Sequence, residues 1–241
     1  MIRPRRIAQI VRRGLRVARG RLLLAGGTRP VSRTFGYERG VPIHRYYVER
    51  FFEAHADRIR GRCLEFHDAG YVSRFGRGRP TRIDVLDLSA DNPNATIVAD
   101  LTQPNDVPSD TFDCIVCVHV LHLVYDADAL TRDLHRLLAP GGALLIAVPG
   151  TSMIDPDWTE YRRWTALGIR TLLGQFFESS DIHVESYGNS LAAAAEMRGL
   201  ASDEIAPWEL NAHDDLFPVE VGGLAVKRHR SSGDGAARQS S

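Results

Sequence analysis

The sequence predicts an α/β fold: a doubly wound, mostly parallel seven-stranded sheet with helices on both faces. Two observations carry this. Short, almost wholly apolar runs recur along the chain, which is how strands covered on both faces read. Segments with helical spacing of apolar residues alternate with them, the pattern of a parallel sheet sandwiched by helices. The 241 residues, 44% hydrophobic and 25% charged, suit one ordinary domain with appended ends.

The first element is a basic arm, residues 1–34. Every charged residue before Glu38 is arginine: Arg3, Arg5, Arg6, Arg12, Arg13, Arg16, Arg19, Arg21, Arg29 and Arg33. Basic and acidic residues number 30 each, so these ten leave the rest of the chain with an excess of ten acids. Ile7, Ile10, Val11, Leu15 and Leu22 lie between the arginines at helical spacing. That is the pattern of a helix lying on an anionic membrane surface; the alternative is a solvated extension. No aromatic residue interleaves with the arginines before Phe35, so nucleic acid is not an expected partner. No apolar run approaches the roughly 20 residues that span a bilayer, and "RLLLAGG" is shorter than a secretory apolar region of roughly 7–15 residues. The expected location is the cytoplasm, with peripheral contact at the inner face of the membrane through residues 1–34.

Residues 35–227 read as the α/β domain. "IHRYYVERFFEAHADRI" sets Ile43, Tyr47, Phe51, Phe52, His55 and Ile59 at helical spacing. "CLEF" is the first strand, followed by a turn and a helix or loop. "RIDVLDLS", "ATIVADL" and "FDCIVCVHVL" are the next three strands. A helix through "DADALTRDLHRLL" is stopped by "APGG", where proline and glycine oppose its continuation. "ALLIAVPG" is the fifth strand. A loop rich in tryptophan and tyrosine comes next, then a helix that Thr165 or Asp157 would cap. "DIHVESYG" and "PVEVGGLAVK" are the last two strands, with a small-residue helix, "SLAAAAEMRGL", after the first. Residues 228–241, "RHRSSGDGAARQSS", form a polar tail expected to be disordered.

Cys114 and Cys117 have the spacing of a redox or zinc pair. They lie within a strand, where residues three apart point to opposite faces. The expectation is small buried hydrophobes and no metal centre.

Open α/β sheets bind ligands beyond the carboxyl ends of their strands, where strand order reverses. Asp68, Asp87, Asp100 and His119 fall at or just past such predicted ends.

"FDCIVCVHVLHLVYDADALTRDLHRLLAPGGALLIAVPG", residues 112–150, supplies a strand entered by Phe-Asp, a polar motif ending in "LH", a helix ending in "L-x-P-G-G", and an apolar strand. In this order it resembles the second half of a class I S-adenosylmethionine-dependent methyltransferase, of the small-molecule, type 11-like branch, whose fold is Rossmann-like. The resemblance implies S-adenosyl-L-methionine as cofactor. It implies that Glu65 ends the first strand and that Asp87 binds the ribose hydroxyls, with Asp84 taking that part if the strand ends sooner. A carboxylate suits this, since its two oxygens can accept both hydroxyl protons. Asp100 and Leu101 match the contact near adenine. His119 would face the reactive methyl group and serve as general base, with His122 second.

The family's first loop usually reads acid-x-Gly-x-Gly-x-Gly. Counted from Glu65, the glycine positions hold His67, Ala69 and Tyr71, with Gly70 one place out of step. Either Asp68 and Gly70 form a rebuilt turn with the His67 and Tyr71 rings rotated away, or the pocket is filled and the cofactor is lost.

Trp158, Tyr161 and Trp164, with Arg162 among them, follow the fifth strand, where the family often builds its acceptor site. Aromatic faces beside arginine suit a sugar ring or a planar anion; core packing is the alternative. Arg39, His44, Arg45 and Tyr46 would supply the polar contacts of a lid. The segment "RGVPIHRYY" is similar to sequences found beside glycosyltransferases of surface polysaccharide synthesis, which implies a small-molecule or glycan acceptor. Two further readings are a methyltransferase-fold binding or scaffold protein without cofactor, and a peripheral membrane regulator acting through the arm.

Overall fold

The computed structural model describes residues 4–229, with residues 4–10 as backbone alone. The polar tail, apart from Arg228 and His229, lies outside the described residues. The strands are β1 (Gly61–Phe66), β2 (Pro80–Asp87), β3 (Ile97–Val98), β4 (Phe112–Val118), β5 (Leu138–Pro149), β6 (Ile182–Tyr187) and β7 (Glu220–Val226). They form one seven-stranded sheet in the order β3-β2-β1-β4-β5-β7-β6. β1 runs parallel to both β2 and β4, with Glu65 opposite Val85 on one side and Val116 on the other. β2 runs parallel to β3, with Asp87 opposite Val98. The chain therefore winds outward from β1 through β2 to β3, then returns to β1's other edge with β4. That reversal is the place where open sheets of this kind bind ligands.

The helices are α1 (Pro4–Leu24), α2 (Ile43–Ala54), α3 (Gly70–Gly76), α4 (Ala127–Leu137), α5 (Ala166–Leu173), α6 (Ser190–Arg198) and α7 (Pro207–Asn211). The caps follow from sequence. Asp126 accepts from the Ala129 N–H to start α4, and Asn189 accepts from the Ala192 N–H to start α6. Gly199, at φ 73°, ends α6 in the left-handed conformation that glycine adopts without a Cβ penalty.

Several expected boundaries move. The helix begun at Ile43 stops at Ala54, and Ile59 instead follows a 3₁₀ turn, Ala56–Arg58. The third strand shrinks to two residues: Thr96 and Ala99 beside it still bond to β2, and turns closed by Ala95 on Asn92 and by Gln103 on Asp100 follow on either side. "APGG" does not lie beyond a helix end in a loop. α4 stops at Leu137 and these residues open β5, where Gly141 donates to the Lys227 carbonyl and Lys227 donates back to Gly142. That exchange is antiparallel. α5 begins directly after Thr165, whereas Asp157 lies in a loop turn, its N–H bonded to Asp155. α7 and a 3₁₀ turn at Ser202–Glu204 were not anticipated.

The chain divides into two compact units. One comprises the described parts of Phe52–Ile146, Leu167–Val184 and Gly223–Ser241. Its core is built from β4, with Phe112, Ile115, Val116 and Cys117 fully buried, from Leu144, Leu145 and Ile146 of β5, and from Leu134 and Leu137 of α4. Cys63 and Cys114 stand opposite each other on β1 and β4, both buried and free. The Cys63 thiol and burial push Cys114 well up, and burial pushes Cys117 up to about 12. These are inert, uncharged packing groups.

The other unit comprises the described parts of Met1–Phe51, Ala147–Ala166 and Glu185–Gly222. Ile43 and Tyr47 of α2 pack with Ala192, Ala195, Leu200, Ile205, Leu210 and Val219. Around this core runs a charged frame. Arg16 pairs with Asp203 and Arg21 with Glu209, so α1 is docked on the acidic stretch 202–209. Part of the arm's charge is thus matched by acids nearly two hundred residues away.

Candidate functional site

The carboxyl end of β1 is shaped by Glu65. Its side chain is buried, and its two oxygens accept the N–H groups of Tyr71 at 2.9 Å and Val72 at 2.8 Å, in the first turn of α3. Burial pushes the carboxyl up to about 7, against the pull of those two N–H donors. The loop between them is closed by the Gly70 N–H donating to Asp68 Oδ1 at 2.8 Å.

His67 leaves β1 with φ 68°, in the left-handed region. Its N–H still donates to the Leu86 carbonyl at 2.9 Å, extending the sheet by one bond. The imidazole turns outward, 71% exposed, with Nδ1 3.1 Å from Asp87 Oδ2. Asn92 ties the pair together: its amide donates to the His67 carbonyl at 2.7 Å and to Asp87 Oδ2 at 2.6 Å. Asp87 Oδ1 accepts the Ser89 N–H at 2.9 Å. The Ser89 N–H, then Asn92 and His67, hold Asp87 below the usual carboxylate range, so it is ionised at neutral pH.

His119 follows β4 directly and also has a positive φ, 52°. Two histidines thus leave neighbouring strands in a conformation that costs a non-glycine residue roughly 1–2 kcal/mol. Such strain gathers where a loop must approach a ligand. The His119 ring is half-buried and meets the buried His122 ring edge-on, centroids 5.8 Å apart.

The other candidates near these strands are placed as follows. Asp84 does not reach the end of β2, which runs on to Asp87; it is buried and bound by Arg62 at 2.7 Å and Arg82 at 2.8 Å. Asp100 is exposed two residues after β3 and accepts from the Thr102 N–H and hydroxyl, while Leu101 beside it is buried.

In the other unit, Trp158 and Tyr161 are 56% and 50% exposed. Trp164 is half-buried, its backbone N–H donating to the Pro149 carbonyl and its ring 5.5 Å from the Arg162 guanidinium. Arg39 is held by Glu204, and the Tyr46 hydroxyl donates to Asn211 at 2.7 Å. His44 is buried with Nδ1 2.8 Å from Glu196 Oε1, to which the Ser152 hydroxyl also donates at 2.8 Å.

Sequence reasoning missed two of these groups. Asn92 is the clasp between loop and acid, and its signal was an amide in the polar turn "SADNPN" five residues after Asp87. Glu196 is fully buried; its signal was a lone acid in an otherwise small and apolar helix stretch, "SLAAAAEM".

A mostly parallel sheet with an ionised acid ending β2, beside a tight turn at the reversal of strand order, is the arrangement found in α/β proteins that bind nucleotides. A family model described as a methyltransferase domain matches residues 43–186, and the chain belongs to that family, the class I S-adenosylmethionine-dependent methyltransferases. Among solved structures, the [4+2]-cyclase SpnF has a TM-score of 0.51 at 17% identity, covering 88% of this chain and 93% of its own. An S-adenosylmethionine-dependent methyltransferase from Archaeoglobus fulgidus has a TM-score of 0.48 at 14% identity, covering 76% and 90%. At these identities the likeness to SpnF is one of fold. No curated protein matches this sequence.

The residues present fit the cofactor. Asp87 is an ionised carboxylate at the end of β2, a group with the acceptor chemistry that suits ribose hydroxyls. His67 supplies the left-handed turn that glycine would give, with its ring turned out to Asp87. The Tyr71 ring is engaged with Phe52, 5.0 Å away, and stacked on Phe75 at 6.1 Å. Asp68 and Gly70 close a turn here, with the His67 ring directed to Asp87 and the Tyr71 ring to Phe52 and Phe75.

Proposed function

We propose that this methyltransferase acts on a hydroxyl of a small-molecule or sugar-type acceptor, in surface polysaccharide synthesis. The observation that carries the acceptor class is the exposed aromatic pair Trp158 and Tyr161, with Trp164 beneath Arg162. Flat apolar faces beside a cation suit sugar rings and anionic sugars. The likeness of "RGVPIHRYY" to sequences beside glycosyltransferases supports the same reading.

When bound, the cofactor supplies an electrophilic methyl group on a sulfonium. Asp87 accepts the ribose hydroxyls; Asp100 and Leu101 receive the adenine; Glu65, His67, Asp68 and Gly70 set the loop against the methionine part. His119 takes the proton from the acceptor hydroxyl as general base, and His122 backs its ring. Arg39 and Tyr46 support the acceptor side indirectly, since Glu204 and Asn211 hold their polar ends. The arm, residues 1–34, brings the enzyme to an anionic membrane surface, where lipid-linked sugars would be met.

The test is methyl-labelled cofactor offered with free sugars, sugar nucleotides, lipid-linked sugars, protein and nucleic acid. Label entering sugar-bearing acceptors is expected. Transfer only to protein or nucleic acid would overturn the acceptor class.

A further inference from the structure

We propose that α1 lies flat on an anionic lipid surface, with Val11, Leu15, Ala18 and Leu22 entering the bilayer while the helix's opposite side is fastened to the protein. This rests on the reading that residues 1–34 meet such a membrane, and it names the face that does so and how it is held.

The inward side is settled by its contacts. Gly20 is buried so tightly against the Glu204 carbonyl that a Cβ there would come within 2.4 Å of it. Val17, Leu23 and Leu24 are half-buried on the same side. Arg16 and Arg21 are paired with Asp203 and Glu209, and the Arg198 guanidinium donates to the Leu23 carbonyl at 2.9 Å near the helix end. α1 is therefore a fixed part of its unit.

The outward side carries a stripe. Positions 11, 15, 18 and 22 are spaced four, three and four residues apart, which aligns them on one helical face. Val11, Leu15 and Leu22 are 56%, 68% and 76% exposed, unusual for aliphatic side chains in a row. On a helical wheel Arg12 and Arg19 border this stripe. Among the described residues no carboxylate pairs with Arg12 or Arg19, which border the stripe, whereas Arg16 and Arg21 are matched by Asp203 and Glu209.

Charge decides the occupant. A second copy would bring its own arginines against these and be repelled. A nucleic acid would leave the aliphatic stripe in water. An anionic bilayer offers phosphates to the bordering arginines and acyl chains to the stripe. The helix lies on the membrane and does not cross it: seven of its 21 residues are arginine, and no described helix is long and apolar enough to span.

The test is co-sedimentation of the full chain with phosphatidylglycerol–phosphatidylcholine vesicles and with phosphatidylcholine alone. Binding to the anionic vesicles should be about tenfold or more tighter. Leu15→Asp with Leu22→Asp should weaken it by about tenfold or more while leaving the melting temperature unchanged, because both side chains are already in water. If wild type ignores anionic vesicles, this proposal and the membrane reading both fail. If binding survives the leucine substitutions but is lost with Arg12→Glu and Arg19→Glu, the membrane reading stands and the inserted stripe is overturned. Dimerisation that the leucine substitutions abolish would assign the stripe to a second copy and equally overturn it.

Discussion

His67 Nδ1 lies 3.1 Å from Asp87 Oδ2, so the residue that replaces a loop glycine is fastened to the acid ending the next strand. The backbone of His67 does what glycine would do, at a cost in strain, and its side chain adds a contact that glycine could not make.

Stability across substitutions at His67 should follow backbone freedom. His67→Gly removes the left-handed strain and an exposed hydrogen bond of little net worth, so it should match or exceed wild type by about 1 kcal/mol. His67→Val should lose about 1–2 kcal/mol or more, since a β-branched residue resists this φ. Urea unfolding distinguishes the two.

Asp87→Asn keeps the size of the side chain and removes the charge. Affinity for S-adenosylhomocysteine, measured by calorimetry, should fall about tenfold to a hundredfold, the span of a hydrogen bond to a charged group. Asp84→Asn, at a carboxylate committed to Arg62 and Arg82, should lower stability and leave affinity nearly intact.

His119→Ala should lower kcat by about 10²–10⁴-fold if the imidazole accepts the acceptor's proton. Affinity for S-adenosylhomocysteine should be little changed. Loss of affinity with kcat unchanged would assign His119 to cofactor binding alone.

The Glu65 carboxyl titrates at about 7 when folded and near 4.5 when unfolded. Between these values the native chain holds the proton more firmly, so stability falls as pH rises through this window. Measured against Glu65→Gln, wild type should lose about 3 kcal/mol from pH 4.5 to 7 and run level on either side. Chemical denaturation at several pH values gives the difference.

Glu196 is fully buried; burial pushes it up, but the His44 ring and N–H and the Ser152 hydroxyl outweigh this and keep it charged. His44→Ala strands that charge and should cost about 3–5 kcal/mol. Adding Glu196→Gln should recover part of the loss, and a double-mutant cycle measures the coupling.

The architecture was legible because its signals are local. Strands β4, β5 and β7 are dense apolar runs, and β1 and β2 each carry a short apolar stretch inside a polar surround. β3 was overread: Thr96 and Ala99 bond to β2, but only Ile97 and Val98 between them pair as a strand. The positions Glu65, Asp87 and His119 could be read from the family pattern, while the conformation of His67 could not, since a histidine in the left-handed region carries no sequence mark. His44 with Glu196, and the arm with Asp203 and Glu209, were invisible for a different reason: their partners lie 152 to 188 residues apart, beyond any periodicity.

Each compact unit is stitched from three separate stretches of the chain, and the last change of unit falls between Gly222 and Gly223, inside β7. No single cut can free one of them as an intact piece, so truncation libraries should yield soluble protein only when both ends are nearly kept. On the ribosome neither can close until that last strand has emerged, which leaves the preceding stretches of nascent polypeptide in need of shelter until then.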